Sequence, residues 1–285
     1  MKTFLLGAGA QKAGTTWLHD YLAAAPECAA PIRKEYHVFD VLDLPGEQWL
    51  RDRIAHRAVR AARSVAAGRP RDIAALLQAA MVADPQVYVD HVTGLLHRDD
   101  LTTLTTDLTP DYALLSHERF TSIRRDFAAR GVRTVAVHLM RDPVDRIWSQ
   151  IRMQRQRQPE KYAEPAEDLV RERHTEPQYA DRTRYDLTLA ALDVAFPADD
   201  LYVGFYEELF TAAEIHRVCE VLGVGCREPD FGTRANAAPS EVERLPDATV
   251  RLVAEHFRPV YDAVAARCGT DTVERLWPSS RLLSG

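Results

Sequence analysis

The sequence predicts an α/β fold, a P-loop-like three-layer sandwich with a central parallel sheet flanked by helices and carrying helical insertions. Three observations predict it. Phe4-Leu5-Leu6 is an apolar strand end that runs into a small-residue loop, Gly7 to Gly14, and then into an apolar-periodic helix opened by Thr15 and Thr16. Val132 to Met140 is a near-continuous apolar run rich in β-branched residues, the pattern of a strand buried on both faces. Strand-like and helix-like segments alternate along the chain, which builds a parallel sheet covered on both sides.

The elements follow in order. The first helix spans 14–25 and closes at Pro26, and Ala29 to Ile32 reads as a short strand. Arg33-Lys34-Glu35-Tyr36-His37-Val38-Phe39-Asp40 is too mixed for a core element and reads as a loop entering a helix. Residues 47–66, rich in arginine, and 71–83, rich in alanine and leucine, are helical and part of an insertion at about 41–100. A β-prone stretch at 101–106 leads into Asp107-Leu108-Thr109-Pro110-Asp111-Tyr112, where proline stops the strand. Ser116 opens a helix that stops at Gly131. After the 132–140 strand, Val144 to Gln156 is a helix. Pro159, Pro165 and Pro177 punctuate a polar stretch, read as a mobile helix-loop excursion over about 151–182. A helix at 185–196, a strand at 201–206, a helix at 214–222, a long loop at 229–246 and one last long helix at 247–267 complete the chain.

Composition bounds the function. The chain has 285 residues, 46% of them hydrophobic and 27% charged, as expected of a soluble globular domain. A net charge of −6 argues against a general nucleic-acid binder, so any anion site must be local. Cys28, Cys219, Cys226 and Cys268 form no Cys-x-x-Cys pair and no zinc spacing, and they read as thiols of a reducing compartment. No secretory leader and no bilayer-length apolar run stands out, so the expected location is cytoplasmic, with no membrane partner.

The loop Gly7-Ala8-Gly9-Ala10-Gln11-Lys12-Ala13-Gly14-Thr15-Thr16 has the make-up of a phosphate cradle. Backbone N–H groups and a helix N-terminus favour an anion there, and Lys12 adds a full positive charge. A Walker A loop places its lysine directly after the last glycine. Here Lys12 precedes Gly14, as Lys12-Ala13-Gly14-Thr15-Thr16-Trp17. A second anion signal is Arg141-Asp142-Pro143-Val144-Asp145-Arg146-Ile147-Trp148-Ser149. Arg141 leaves a strand end with a planar charged fork suited to a phosphate dianion, and Ser149 adds a hydroxyl from the following helix. Lys12, Glu35, Asp107 and Arg141 all fall at or just after strand ends, where ligands of such sheets bind.

Together these motifs resemble the sulfotransferases that use 3′-phosphoadenosine 5′-phosphosulfate (PAPS). The resemblance implies one sulfotransferase domain over 1–285. It implies that Lys12, Ala13, Gly14, Thr15, Thr16 and Trp17 hold the 5′-phosphosulfate, and that Arg141 and Ser149 hold the 3′-phosphate. Glu35-Tyr36-His37-Val38-Phe39-Asp40 is similar to the Glu-x-His-Phe-Phe-Asp segment of the heparan-sulfate-type, Golgi-class members, in which the glutamate acts on the acceptor hydroxyl. Asp107 to Tyr112 resembles that group's Glu-Lys-Thr-Pro-x-Tyr segment, with Leu108 in place of its lysine. On this basis Glu35, His37, Asp107 and Tyr112 face the acceptor, and Arg234 and Asn236 close over the 3′-phosphate. The implied catalytic group is Lys12, Glu35 and His37: Lys12 stabilises the leaving oxygen and Glu35 takes the acceptor proton. His37 orients Glu35, contacts the sulfuryl oxygens or is itself the base. No metal is required. The acceptor is a hydroxyl of a small metabolite or carbohydrate. The alternative is a P-loop kinase or NTPase with an irregular loop, which needs Mg²⁺ and an acidic strand-end residue, for which Asp142 is the candidate.

Overall fold

A computed structural model describes residues 1–231 and 244–283. Five parallel strands form one sheet: β1 (Lys2–Gly7), β2 (Cys28–Ala29), β3 (Leu104–Asp107), β4 (Val132–Met140) and β5 (Leu201–Phe205), in the order β2-β3-β1-β4-β5. β1 lies at the centre, with Leu5 level with Thr106 of β3 and with Val135 of β4. The apolar runs read from the sequence bury both faces. Leu5, Val135, Val137 and Leu139 point into one cluster, and Phe4, Leu6 and Ala136 point into the other.

The first face is covered by helices Thr15–Ala23, Pro143–Arg157 and Ala212–Leu222 and by the C-terminal helices. The second is covered by Pro85–Leu96, His117–Ala128 and Tyr185–Ala195. This is the three-layer α/β sandwich expected. The insertion before β3 contains the two expected helices, Gln48–Ala66 and Ile73–Ala83, and a third, Pro85–Leu96, opened by an Asp84 cap and Pro85. Among the described residues no helix is long and apolar enough to cross a membrane.

Three elements differ from the sequence reading. β2 is only Cys28–Ala29, because Pro31 ends the pairing. The last helix is two, Asp247–His256 and Arg258–Cys268, since Pro259 lacks the N–H that a continuous helix needs. The stretch after Arg157 contains helices Ala166–Arg173 and Pro177–Ala180, and Tyr162, Leu169, Val170 and Tyr179 bury in the first core.

Candidate active site

The loop after β1 depends on two close approaches. A Cβ on Gly7 would lie 2.7 Å from Leu108 Cα, so only glycine lets β1 meet the end of β3 at this distance. Gly14 has φ 89° and packs against Leu209 and Tyr206, where a Cβ would come within 2.5 Å of Leu209 Cδ2. Lys12 is also left-handed, with φ 72°. The helix Thr15–Ala23 therefore starts without a capping side chain. Its first ladder bond is Leu18 N–H to Gly14 O, 3.1 Å, which leaves the N–H groups of Thr15, Thr16 and Trp17 outside the ladder. The Ala13 N–H donates to Ala10 O at 3.2 Å, so it is not among the free donors, contrary to the sequence expectation.

Beneath the loop, fully buried His138 donates Nδ1–H to Ala8 O at 2.5 Å. Burial pushes its imidazole down to about 4, so it stays neutral. Trp17 is buried, stacked on Tyr21 and Phe231 at centroid distances of 5.6 and 5.7 Å. It is packed as a core side chain, not held open for a ligand.

The cations at this end form no ion pair among the described residues. There the Lys12 ammonium meets Met153 Sδ, at 3.6 Å. Arg141 donates from Nη1 to Lys12 O at 3.2 Å and lies over the Tyr206 ring at 4.4 Å, and its Nε is buried without a partner. Arg152 lies over the Trp148 ring at 5.5 Å, also with a buried, unpartnered Nε. Among the described residues no carboxylate comes within ion-pair distance of Lys12, Arg141 or Arg152. Burial first, and then the charges of Arg141, Arg157, Arg152 and Arg146, push the Lys12 ammonium below its usual range. Glu207, which feels Arg141, is itself raised by burial to about 7. Ser149 is half-buried one turn before Met153 and makes no side-chain hydrogen bond among the described residues. Arg234 and Asn236 lie outside the described residues.

The other end, over β2 and β3, is paired throughout. Glu35 accepts from Lys34 Nζ at 2.7 Å and lies 3.4 Å from His37 Nε2. His37 Nδ1 is 2.6 Å from Asp40 Oδ2, and its φ of 52° is the backbone turn that brings it between the two carboxylates. Burial opposes charge on His37, but Asp40 and Glu35 outweigh it and raise the imidazole to about 10. Burial likewise opposes charge on Glu35, and His37 and Lys34 hold it down at about 2. His37 is thus an imidazolium at neutral pH and does not act there as a base. Asp111 lies within reach of His37 and Asp40 and is tied to Arg182 Nε at 2.5 Å, which also reaches Glu47 at 3.2 Å.

Asp107 and Tyr112, which the sequence suggested would face the acceptor, are both fully buried. Asp107 accepts from Thr109 Oγ1 at 2.6 Å, Tyr88 OH at 2.8 Å and Tyr36 N–H at 3.3 Å. Tyr112 OH accepts from Val38 N–H at 3.1 Å. Both therefore hold the 36–38 backbone that carries His37. Burial raises the Asp107 carboxyl to about 6 against these donors.

Asp142, the acid that a kinase reading needs for its metal, caps its own helix through Val144 N–H at 3.0 Å. It also accepts from Tyr261 OH at 3.0 Å and Ser279 N–H at 3.1 Å, so its oxygens face the C-terminal helices. Sequence reasoning missed Tyr206, Asp111, Arg182 and Glu47. Only Asp40 carried a usable signal, three residues after His37.

No family model matches the chain, and no curated protein matches it. Among solved structures it resembles a sulfotransferase from Alicyclobacillus acidocaldarius, with 19% identity, 93% of this chain and 95% of that one covered, and a TM-score of 0.58. It also aligns with the sulfotransferase domain of the Synechococcus PCC 7002 olefin synthase, at 18% identity over 90% and 94% of the two chains and a TM-score of 0.46. The sulfotransferase domain of the curacin biosynthetic pathway aligns at 17% identity over 80% and 76%, with a TM-score of 0.41. The first likeness establishes a shared fold; it does not reach the heparan-sulfate-type subgroup.

Proposed function

We propose that the protein transfers the sulfuryl group of PAPS to a hydroxyl of a small metabolite or carbohydrate. The observation that carries this reading is the unneutralised cationic cradle of Lys12, Arg141 and the Thr15 and Thr16 N–H groups, set on the same sheet edge as the Glu35–His37–Asp40 unit. Shielded donors without acceptors fit the phosphates and sulfate of such a donor, and fully buried unsatisfied groups are otherwise avoided. The fold shared with a known sulfotransferase supports the same reading.

In this reading the acceptor oxygen attacks sulfur in line with the leaving 5′-phosphate oxygen. Lys12 and the N–H groups of Thr15 and Thr16 meet the charge growing on that oxygen. Arg141 and Ser149 hold the 3′-phosphate. Glu35 takes the acceptor proton, and His37, fixed by Asp40, orients the Glu35 carboxylate. His37 and Lys34 together hold the Glu35 carboxylate low in the free protein, so proton transfer in this reading requires the acceptor to loosen their hold on it.

Calorimetry tests the donor assignment. Affinity for 3′-phosphoadenosine 5′-phosphate (PAP) is expected to exceed that for AMP by at least about tenfold, the equivalent of one charge-assisted hydrogen bond. Equal affinities would remove the 3′-phosphate site. For the base, Glu35→Gln is expected to lose about 10²–10⁴-fold in turnover with labelled PAPS and a working acceptor. A folded variant with near-normal turnover would exclude Glu35.

A further inference from the structure

We propose that Cys219 and Cys226 are a redox pair that a peroxide oxidises to a disulfide, and that this oxidation acts on helix Thr15–Ala23 behind the loop after β1. Cys219 lies near the end of helix Ala212–Leu222, and Gly223, at φ 68°, ends that helix in a left-handed turn. Val224 N–H returns to Cys219 O at 3.1 Å, so the chain folds back and carries Cys226 toward the helix it has just left. The two thiols meet at one atom. Tyr21 OH lies 3.8 Å from Cys219 Sγ and 3.6 Å from Cys226 Sγ. Two sulfurs on one oxygen are near neighbours, which is what disulfide geometry asks of a pair that closes without a large backbone movement. Their exposures divide the roles: Cys226 is half-buried and open to a small oxidant, and Cys219 is buried. Burial first, and then Cys226 itself, push the Cys219 thiol up to about 11, so it stays a thiol until its partner is oxidised.

The oxidation balances with one peroxide. The Cys226 sulfur attacks one peroxide oxygen, an S–O bond forms and the O–O bond breaks. The leaving oxygen takes the Cys226 proton and departs as water. The Cys219 sulfur then attacks the Cys226 sulfur, the S–S bond forms and the S–O bond breaks. That oxygen takes the Cys219 proton and departs as a second water. Two thiols are oxidised and one peroxide is reduced.

The turn is clasped to the helix next to it. Tyr21 OH donates to Arg227 O at 2.8 Å and accepts from Arg227 N–H at 3.0 Å, and the Arg227 guanidinium donates to Tyr21 O. Tyr21 stacks on Trp17, and Trp17 stacks on Phe231. An S–S bond of about 2 Å is far shorter than either contact to Tyr21. Closing it moves Cys226, and with it Arg227, against the helix that carries Tyr21 and Trp17.

The test treats the whole protein with a small excess of hydrogen peroxide and then alkylates the remaining thiols. The free thiols are expected to fall from four to two and to return to four under dithiothreitol. Trypsin leaves both cysteines on the peptide 218–227, and a cut after Glu220 then separates them unless a disulfide joins the halves. In Cys219→Ser, Cys226 should stop at the sulfenic acid and take up dimedone. In Cys226→Ser, buried Cys219 should stay reduced. Tryptophan emission should shift on oxidation of the wild type and in neither serine variant. A disulfide that contains Cys28 or Cys268, oxidation of Cys226 past the sulfenic acid with no bridge, or four intact thiols would overturn the redox pair. A Cys219–Cys226 bridge that leaves tryptophan emission unchanged would overturn its action on the helix.

Discussion

The two ends of the sheet's carboxyl edge treat charge in opposite ways. Over β1 and β4, Lys12, Arg141 and Arg152 sit partly shielded with no ion pair among the described residues, and the charge of Arg141 lowers both Lys12 and Arg152. Over β2 and β3 two cations each sit between two carboxylates, His37 between Glu35 and Asp40 and Arg182 between Asp111 and Glu47. An unbalanced cluster is less stable without a ligand and gains by binding an anion. A cluster paired internally fixes geometry by itself. The proposed function uses this difference, with the first end binding the donor and the second holding the proton acceptor in place.

Lys12→Ala breaks this contrast most directly. Its removal is expected to lower turnover by about 10²–10³-fold, the loss seen when one preorganised charge stabiliser is removed. PAP affinity falls with it. Thermal stability should hold or rise, because the mutation relieves repulsion from Arg141 and Arg152 without breaking an ion pair. A large drop in Tm would mean that the lysine is structural and the cluster is not a binding site.

The paired end predicts the reverse balance of effects. Asp107→Ala strands the donors of Thr109, Tyr88 and Tyr36, and the expected loss is about 3 kcal/mol of stability in denaturant titration. PAP affinity should change by less than about twofold, because no donor ligand is touched. Turnover should fall, since the 36–38 backbone that carries His37 loses its anchor. A variant that keeps its stability but loses PAP affinity would put Asp107 in the binding half.

These differences explain what the sequence revealed. The phosphate loop was legible because its chemistry is local: Gly7, Lys12, Gly14 and the helix start are contiguous, and their backbone geometry does the work. Arg141 was legible because a strand end fixes its place. The Asp111–Arg182–Glu47 cluster was not, since its three residues come from distant segments that only the packed insertion brings together. Asp107 was found for its position, and its internal partners were not legible. Sequence shows a carboxylate after a strand, and only burial shows that three internal donors already occupy it. The break at Phe257 and the packed segment after Arg157 were missed for a related reason. One proline was overlooked inside a periodic pattern, and a polar composition hid four apolar anchors, Tyr162, Leu169, Val170 and Tyr179.

His37 sharpens the comparison through pH. Its folded-state pKa, about 10, lies above the ordinary 6.5, so the unfolded chain gives up this proton first. Its contribution is fully present below about pH 6.5 and is lost as pH rises through 10. The Glu35 contribution runs the other way, present above the ordinary 4.5 and lost as pH falls through about 2. Between pH 7 and 10, wild type is expected to lose about 2 kcal/mol relative to His37→Gln, part of the pair's attraction being offset by desolvation. Parallel stability curves for the two proteins would show that the imidazole is not held charged.

Ser149→Ala is the smallest and most selective test. The hydroxyl makes no hydrogen bond to the described residues, so its loss should leave stability unchanged within about 0.5 kcal/mol. The helix keeps its register because alanine is the better helix former. If Ser149 donates to the 3′-phosphate, the variant loses one hydrogen bond to a charged group, and PAP affinity falls about fivefold to tenfold. AMP, which has no 3′-phosphate, should bind as before, so the PAP-to-AMP preference shrinks. A general disturbance of the helix would instead weaken PAP and AMP alike.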